Sequence, residues 1–564
     1  MNSFRWKNAL QLDAEARKDV RIAVVFAAIA IAFYLPGINW GLPAGDRAGM
    51  IRPWGVDELG PMGPLAETYN VLTRAELGNP QYPMFHYFVI VTFYAPYLLY
   101  VLLTGGFVHP SGAYPFGFAD PVTAIQTLTR IARGVSVLAG AGTVVLAYFV
   151  GKSLWDRMTG CVAATLVMAS YSMSYYSRMS NTDVPAMFWM GVVLLLLVTT
   201  FREGLTRRRA VGLGIFAALA IATKDQNVGV LLFYVPAIVW AHLRQPAKEG
   251  AATLGARLAP LLVGGVVSGA LYAVASGLLL WPAKFFSHLH FIRYGSMKLR
   301  SYFHYDLTLN GLAGLFQELG TYLVESTGWL ALLAALIGMA LCWRRERWKL
   351  LLLLEIPSLL LIVVLPVRYL AIRFLIPWVF LLACFAARGF VAGLRSERRV
   401  IRVAAAVALV AACAGLVARD ADVVYLFWND PRYAAAEWLQ RNVPPGSRIE
   451  CFINLNNHPA ENLMPRLPRG VTLESIKSLP QARWVMTSDP NDFDYRFFAA
   501  PRIYNGMLDG SLGYEPVASF RTRSLFEHPS LELQINPRIR VFARREGRAP
   551  SGQAAESKDD GNRR

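Results

Sequence analysis

The sequence predicts a mostly α-helical protein, a polytopic helical membrane bundle of about eleven spans with a small C-terminal α/β domain outside the membrane. Its 564 residues are 55% hydrophobic, with a mean hydropathy of +0.36, which soluble domains of this length do not reach. Apolar stretches of about 20 residues, each long enough to cross a bilayer, recur along the chain. They stop near residue 420, where a mixed polar and apolar pattern typical of a soluble domain begins.

The apolar stretches define the candidate spans. They lie near residues 20–39, 86–104, 128–150, 159–176, 185–201, 210–223, 227–243, 258–280, 321–342, 350–366, 371–392 and 400–418. The first stretch lacks a small-residue cleavage site and is followed by many others, so we interpret it as a retained anchor and not a signal peptide. Five scattered cysteines, four of them in apolar stretches, indicate neither a disulfide framework nor a CxxC metal site.

The basic residues indicate which side of the membrane each loop occupies. The net charge of +18 lies largely in short loops between apolar stretches, as the positive-inside rule describes for cytoplasmic loops, which argues against nucleic-acid binding. These loops share one side only if the 86–104 stretch does not cross. We therefore expect this aromatic-rich stretch to be re-entrant or interfacial, within a large first outer loop over residues 40–127.

This threading divides the chain into three parts. Residues 1–419 form the membrane domain with its N-terminus inside, residues 420–545 form the outer α/β domain, and the polar tail 546–564 is predicted to be disordered. In the outer domain, Asp430 and Pro431 predict the start of a helix that runs to Asn442. Strands are predicted near 447–453, 482–487 and 538–543.

The most informative residues are the adjacent carboxylates Asp57 and Glu58, just past the first span. Ionised groups close to hydrocarbon are costly and tend to mark a functional site. The threading also brings Asp183, Lys224, Arg368 and Arg373 to the same outer surface, at the ends of other spans. We therefore predict that these charged residues, remote along the chain, converge on one pocket.

Five short motifs give the chain a resemblance to a known group. They are Asp57-Glu58, Tyr82-Pro83, Ser180-Asn181-Thr182-Asp183, Ala222-Thr223-Lys224 and Arg373-Phe374-Leu375-Ile376-Pro377, and the segment from Tyr433 to Ser447 adds to them. With these motifs the chain resembles the C-type superfamily of membrane glycosyltransferases. It is most similar there to the bacterial relatives of protein O-mannosyltransferases and of the lipid A aminoarabinose transferase. The resemblance extends over most of residues 20–450.

The resemblance implies an inverting glycosyltransferase in a bacterial inner (plasma) membrane, with its active site on the extracytoplasmic face. Such an enzyme moves a single sugar from a polyprenyl-phosphate donor to the hydroxyl of a glycan, lipid or protein acceptor. Mannose, arabinose-type and galacturonic acid-type sugars all fit the relatives. No cofactor is required by the sequence, although some relatives bind a divalent ion, so a divalent metal stays possible.

The chemistry assigns roles to the charged residues. An acceptor hydroxyl that attacks an anomeric carbon needs a base, for which Asp57 is the candidate, with Glu58 orienting the sugar or the acceptor. Asp183 is a candidate to cap the helix that it begins and also to hold the acceptor, the sugar or a metal. Lys224 and Arg373, assisted by Arg368, are candidates for binding the donor phosphate, unless they are basic side chains that snorkel to the interface.

The loop 281–320 is a candidate lid over the donor headgroup. Its notable charged and imidazole side chains are His288, His290, Arg293, Lys298, Arg300, His304 and Asp306. His288 and His290 would share one side of a strand but not one side of a helix, and no third ligand is evident, so the metal stays unknown.

Three other functions compete with sugar transfer. A transporter or lipid flippase would also hold charges in the membrane, but usually at mid-membrane on broken helices and often with inverted repeats, and no internal repeat is evident here. An oligosaccharide ligase would share the outer site but take a longer donor. A scaffold without catalytic activity would use the outer domain to recruit partners.

Overall fold

The computed structural model describes residues 14–55, 57–75, 82–109, 111–244, 254–295, 305–451, 470–476, 479–489, 501–531 and 535–545. The chain divides into two compact units. The first comprises Met1–Asn39, Asp57–Val108 and Thr127–Asp422, and the second comprises Trp40–Val56, His109–Gln126 and Val423–Arg564. The second unit therefore takes in two segments of the predicted first outer loop. The predicted tail 546–564 lies outside the described residues.

The helices up to Trp428 follow one another in chain order. They are α1 (Ala14–Tyr34), α2 (Gly63–Thr73), α3 (Phe85–Leu103), α4 (Pro121–Leu154), α5 (Arg157–Ala169), α6 (Tyr171–Ser177), α7 (Asp183–Glu203), α8 (Arg207–Thr223), α9 (Asn227–Leu231), α10 (Tyr234–Arg244), α11 (Leu254–Ala275), α12 (Pro282–His290), α13 (Leu309–Thr327), α14 (Trp329–Arg345), α15 (Glu355–Leu359), α16 (Leu365–Val367), α17 (Ile376–Leu394) and α18 (Arg399–Trp428). Short 3₁₀ segments at Ala48–Met50, Arg347–Leu354 and Ile372–Leu375 and π-helical turns at Phe291–Gly295 and Leu360–Val364 complete the helical structure.

The predicted helical membrane bundle is confirmed. Within the described residues, eight segments have the length and hydropathy of a membrane span, and a ninth is added if α13 and α14, bent by 98°, count as one. They are Phe85–Leu103, Pro121–Leu154, Asp183–Glu203, Asn227–Arg244, Arg257–Ala275, Arg347–Val367, Ile372–Leu394 and Arg399–Asn442. The chain is thus a multi-pass membrane protein.

Three predicted spans do not reach this length and hydropathy. Helix α5 has 13 residues, fewer than the roughly 20 that a bilayer requires, and α8 has 17, close to the lower limit for a span. Helix α1 has 21 residues, but charged side chains occupy its first turns and shorten its apolar part. In contrast, the 86–104 stretch is one continuous helix, α3, with the hydropathy of a span, so its re-entrant position stays a prediction.

Helix α17 forms the centre of the first unit and is buried over most of its length. It packs against α14 through two glycines that bring the backbones together. A Cβ atom on Gly389 would lie against the carbonyl oxygen of Ala334, and one on Gly338 against that of Phe385. Only glycine fits at such a close approach. Arg373 lies in the 3₁₀ turn that leads into this buried helix.

The second unit contains a five-stranded mixed sheet of β1 (Arg448–Cys451), β2 (Thr472–Ser475), β3 (Trp484–Asp489), β4 (Tyr514–Phe520) and β5 (Arg538–Arg544), together with helices α19 (Pro431–Asn442) and α20 (Pro501–Leu508). The strand order is β2-β1-β3-β5-β4. Strand β1 pairs in parallel with β2 and β3, whereas β5 pairs antiparallel with β3 and β4. The predicted small α/β domain is confirmed.

Alternation along the strands separates two apolar clusters. Met486 on β3 packs in a core with Leu439 of α19 and Val541 of β5, whereas its neighbour Val485 packs with Met507 of α20. The predicted start of α19 is also confirmed, because the Asp430 carboxylate accepts a hydrogen bond of 2.9 Å from the Arg432 backbone N–H.

Candidate functional site

Of the two adjacent carboxylates, that of Glu58 is held in place by protein contacts. Its side chain is completely buried, and Arg133 of α4 donates to both carboxylate oxygens, from Nε to Oε1 at 2.6 Å and from Nη2 to Oε2 at 2.8 Å. The backbone N–H of Ser180 donates to Oε1 at 3.0 Å. Both oxygens of Glu58 are therefore occupied by protein donors.

The backbone around Glu58 is tied to two further segments. The N–H of Leu59 donates to the carbonyl of Ser180 at 2.6 Å, and Arg133 Nη1 donates to the carbonyl of Ile38 at 2.6 Å. These contacts join the end of the first helix, the acidic loop, α4 and the segment before α7. We predicted that Glu58 orients the sugar or the acceptor. Its burial and full hydrogen bonding argue instead that it positions the loop that carries Asp57.

Replacement of Glu58 by alanine is expected to lower stability strongly. Arg133 would then be a buried charge without its partner, which typically costs about 3–5 kcal/mol. The measurement is the thermal unfolding midpoint of the purified protein in detergent. Glu437→Ala is the matched control, because Glu437 pairs with Arg441 at 3.3 Å with both side chains exposed, and it should leave the midpoint unchanged. A wild-type midpoint for Glu58→Ala would contradict the positioning role.

The side chain of Asp57, unlike that of Glu58, is partly open to solvent. Its backbone is left-handed (φ = 49°), a conformation that Asp and Asn adopt more readily than most residues. Its side chain is 41% exposed, and its carboxylate forms an ion pair with the guanidinium of Arg373. The turn at Asp57 thus lets two neighbouring carboxylates take opposite directions, one buried and one open.

Arg373 lies in the 3₁₀ turn that precedes α17, and its side chain is only 10% exposed. Besides Asp57, the Arg373 guanidinium interacts with the side chains of Tyr176 and Tyr369. Burial raises the pKa of the Tyr369 phenol, which is protonated at neutral pH. The guanidinium is thus held at the end of a rigid helix by side chains from two other segments.

Asp183 and Lys224 form a second ion pair. Asp183 is the first residue of α7, Lys224 directly follows the last residue of α8, and both side chains are less than one-tenth exposed. Asp183 is not the N-cap that we considered. That position belongs to Thr182, while the Asn181 side-chain oxygen accepts from the Asp183 N–H at 3.2 Å.

The two ion pairs are close enough to interact. The charge of Lys224 is influenced by Asp57 and Arg373 as well as by Asp183, and the Tyr82 hydroxyl interacts with the same three residues. We call Asp57, Asp183, Lys224 and Arg373 the charged cluster. The structure thus brings together four of the residues singled out in the sequence, although they come from four separate segments.

Other predicted residues lie outside the charged cluster. Arg368 has a left-handed backbone (φ = 55°) and its carbonyl accepts from the Tyr305 N–H at 2.9 Å, but it makes no ion pair with a described residue. The candidate lid is helical over its first part, where α12 carries His288 and His290. Lys298, Arg300 and His304 lie outside the described residues.

The two histidines of the candidate lid do not act as a pair. His288 is buried and its Nε2 lies 3.0 Å from the Asp225 carboxylate, whereas His290 and Arg293 are exposed. This geometry follows from the helix, which turns residues two apart to different faces. No three His, Cys, Asp or Glu side chains are grouped for a metal ion in the part of the chain that the structure describes.

Sequence reasoning missed three partners of these residues. Arg133 was not singled out, although an arginine within an apolar helix is a signal of a buried ion pair. Tyr176 and Tyr369 lie in segments without a distinctive charge pattern, and only the fold brings them to Arg373. Tyr82 was noted as part of a motif but without a role.

A comparison of the sequence with family models bears on this site. The family described as dolichyl-phosphate-mannose-protein mannosyltransferase matches residues 122–268, from the start of α4 into α11. The chain resembles the C-type membrane glycosyltransferases. The resemblance predicted from the motifs is therefore confirmed. The matched segment includes Asp183 and Lys224. No curated protein sequence matches the chain.

The chain also matches solved structures, among them an oligosaccharyltransferase, ArnT and a protein O-mannosyltransferase. The oligosaccharyltransferase of Archaeoglobus fulgidus with a tethered acceptor peptide is 13% identical over 80% of this chain and 63% of its own, with a TM-score of 0.44. ArnT from Cupriavidus metallidurans bound to undecaprenyl phosphate is 14% identical over 92% and 97%, with a TM-score of 0.44. The Saccharomyces cerevisiae protein O-mannosyltransferase Pmt1-Pmt2 complex bound to its sugar donor is 16% identical over 48% and 34%, with a TM-score of 0.33. The chain spans less than two thirds of the archaeal enzyme.

Proposed function

We propose that this chain is an inverting glycosyltransferase that moves a single sugar from a polyprenyl-phosphate donor to an acceptor hydroxyl. The observation that carries the proposal is the charged cluster, in which an exposed carboxylate meets two buried cations. The description of the matched family names dolichyl-phosphate mannose, a sugar joined to a polyprenyl phosphate. We propose the extracytoplasmic face of a bacterial inner membrane as the site of the reaction.

In the proposed reaction the acceptor oxygen attacks the anomeric carbon while the bond from that carbon to the phosphate oxygen breaks. The proton of the hydroxyl passes to Asp57, the base, and the phosphate leaves with the bonding electrons. Arg373 and Lys224 stabilise the negative charge that grows on the phosphate. Asp183 holds Lys224 at the end of α8.

The ion pairs imply an exchange of partners on donor binding. Arg373 cannot give its guanidinium fully to both the Asp57 carboxylate and a phosphate. Donor binding would therefore draw Arg373 away from Asp57 and leave that carboxylate free to accept a proton. The exchange would thus open the Asp57 carboxylate to the acceptor hydroxyl only when a donor is present.

The position of the charged cluster argues against a transporter. Asp183 begins its span, Arg373 is the second residue of its span and Lys224 lies between α8 and α9. All three are thus at helix ends, whereas transporters usually bind their substrate at the middle of the membrane on broken helices.

The direct test is mass spectrometry of the cell-envelope glycans and lipids of three strains: one with the wild-type protein, one without it, and one with Asp57→Asn. We expect one glycan to lose a single sugar both in the strain without the protein and in the Asp57→Asn strain. Accumulation of a polyprenyl-phosphate sugar should accompany the loss. Identical envelopes in all three strains, or a sugar missing only when the whole protein is absent, would contradict the proposed chemistry.

The lowered pKa of Lys224 leads to a prediction of how donor binding depends on pH. Burial lowers the pKa of its ammonium group from the usual 10.5, and a phosphate is attracted only by the protonated form. Binding of undecaprenyl phosphate should therefore weaken as the pH rises through this lowered pKa, at a lower pH than for an exposed lysine. Lys224→Arg should move the loss to higher pH because arginine stays charged. Equal pH profiles for wild type and Lys224→Arg would remove Lys224 from the phosphate site.

A further inference from the structure

Both cations of the charged cluster lie over the same aromatic ring. The Lys224 Nζ is 5.4 Å from the centroid of the Phe374 ring, and the Arg373 Cζ is 5.3 Å from it. Distances below about 6 Å allow a favourable interaction between a cation and an aromatic ring. Phe374 itself is only 7% exposed, so little water competes with these contacts.

Neighbouring residues hold the Phe374 ring in place. Phe374 lies in the 3₁₀ turn before α17, and Tyr369 packs edge-to-face against it with centroids 5.8 Å apart and an interplanar angle of 89°. Such an arrangement is one of the favoured geometries for aromatic pairs. Phe374 is thus a fixed surface beside two positively charged side chains.

Among the described residues, Phe374 is the only aromatic ring over which both Lys224 and Arg373 lie. Each has its own carboxylate, Asp57 for Arg373 and Asp183 for Lys224. In the proposed reaction at least the Asp57 contact is replaced by the donor phosphate. The contact with the ring does not need to break, because a ring does not compete with a phosphate for hydrogen bonds.

We propose that Phe374 is a positioning residue that keeps Lys224 and Arg373 together at the donor phosphate through the negative face of its ring. This inference rests on the proposed function, since it takes the two cations as the phosphate ligands. The ring holds two like charges close together while their anionic partners change. A side chain of similar size without a ring would fill the same space but give no such attraction.

The experiment measures the affinity of the purified full-length protein for undecaprenyl phosphate. Phe374→Leu should weaken binding about tenfold, which corresponds to about 1.4 kcal/mol and lies within the range of two cation–π contacts. Phe374→Tyr and Phe374→Trp keep a ring and should stay within about threefold of the wild type. Phe380→Leu is the matched control, because Phe380 is a fully buried phenylalanine of α17 with no cation over its ring among the described residues.

A series of fluorinated phenylalanines at position 374 separates electrostatics from packing. Each added fluorine weakens the negative face of the ring while its shape changes little, so affinity should fall stepwise. The same series at position 380 should show no trend. Since these variants are nearly the size of phenylalanine, they test the inference even if Phe374→Leu does not fold.

The outcomes are distinguishable. Wild-type binding of undecaprenyl phosphate with a flat fluorine series at position 374 would overturn the positioning role and leave the proposed function standing. A wild-type protein that does not bind undecaprenyl phosphate would overturn both. A stepwise decline at position 374 alone supports the inference.

Discussion

Asp57→Asn is expected to reduce sugar transfer by about 10²–10⁴-fold, the range that a positioned general base typically contributes. Asparagine has almost the same shape as aspartate and also tolerates a left-handed backbone, which Asp57 adopts. Glu58 and Arg133 would still clamp the loop. The loss should therefore come from the missing proton acceptor and not from unfolding. The measurement is transfer from a radiolabelled polyprenyl-phosphate sugar by the purified protein.

The same variant should separate catalysis from binding. Asparagine cannot form the ion pair with Arg373, so the guanidinium is no longer held by a competing carboxylate. The affinity for undecaprenyl phosphate should consequently be equal to that of the wild type or higher, although turnover is lost. Asp46→Asn is the control, because Asp46 is a half-exposed aspartate of the predicted first outer loop, and it should change neither quantity. Wild-type turnover in Asp57→Asn would eliminate Asp57 as the base.

Arg373→Ala should weaken binding of undecaprenyl phosphate by about 100-fold. Truncation of one partner in a buried, hydrogen-bonded charge pair typically costs about 2–5 kcal/mol, and Arg373 is nine-tenths buried. Arg373→Lys should recover only part of the affinity, since an ammonium group lacks the planar fork that matches two phosphate oxygens. Transfer should fall with binding, because the same cation stabilises the leaving phosphate.

Arg395→Ala provides the control for this prediction. Arg395 follows the opposite end of α17 and also forms an ion pair, with Asp156 at 2.6 Å, but it is half-exposed. Its removal should leave donor binding unchanged. Equal affinities for Arg373→Ala and Arg395→Ala would show that the guanidinium of Arg373 does not bind the donor.

The members of the charged cluster could be predicted because all four stand in distinct motifs and three of them stand at helix ends. The ion pairs between them could not be predicted from the sequence. Lys224 and Arg373 were predicted to bind the donor phosphate, and the carboxylate partner that the structure gives each of them was not predicted. Pairs such as Glu58 with Arg133 depend on how α4 packs against the loop, and no local pattern records that packing. The separate directions of Asp57 and Glu58 depend on one left-handed residue, which an Asp-Glu dipeptide does not specify.

The fold shows the same division between local and long-range information. Hydropathy located the apolar helices, and Asp430-Pro431 located the start of α19, because both depend on nearby residues. The short strand β2 has only four residues, and β4 carries a proline and a register shift near Pro516, so neither has the alternation that reveals a strand. These strands are stabilised chiefly by neighbours that are distant in the sequence.

The charged cluster contains two carboxylates and two cations, so their formal charges cancel before any substrate arrives. A neutral pocket exerts little long-range attraction on anions, and soluble sugar phosphates would gain no electrostatic advantage in reaching it. A molecule that is tethered by a hydrocarbon chain is confined to a thin layer, which raises its effective concentration at the pocket. Selectivity against soluble competitors can therefore come from charge balance combined with membrane tethering, without any group that repels them.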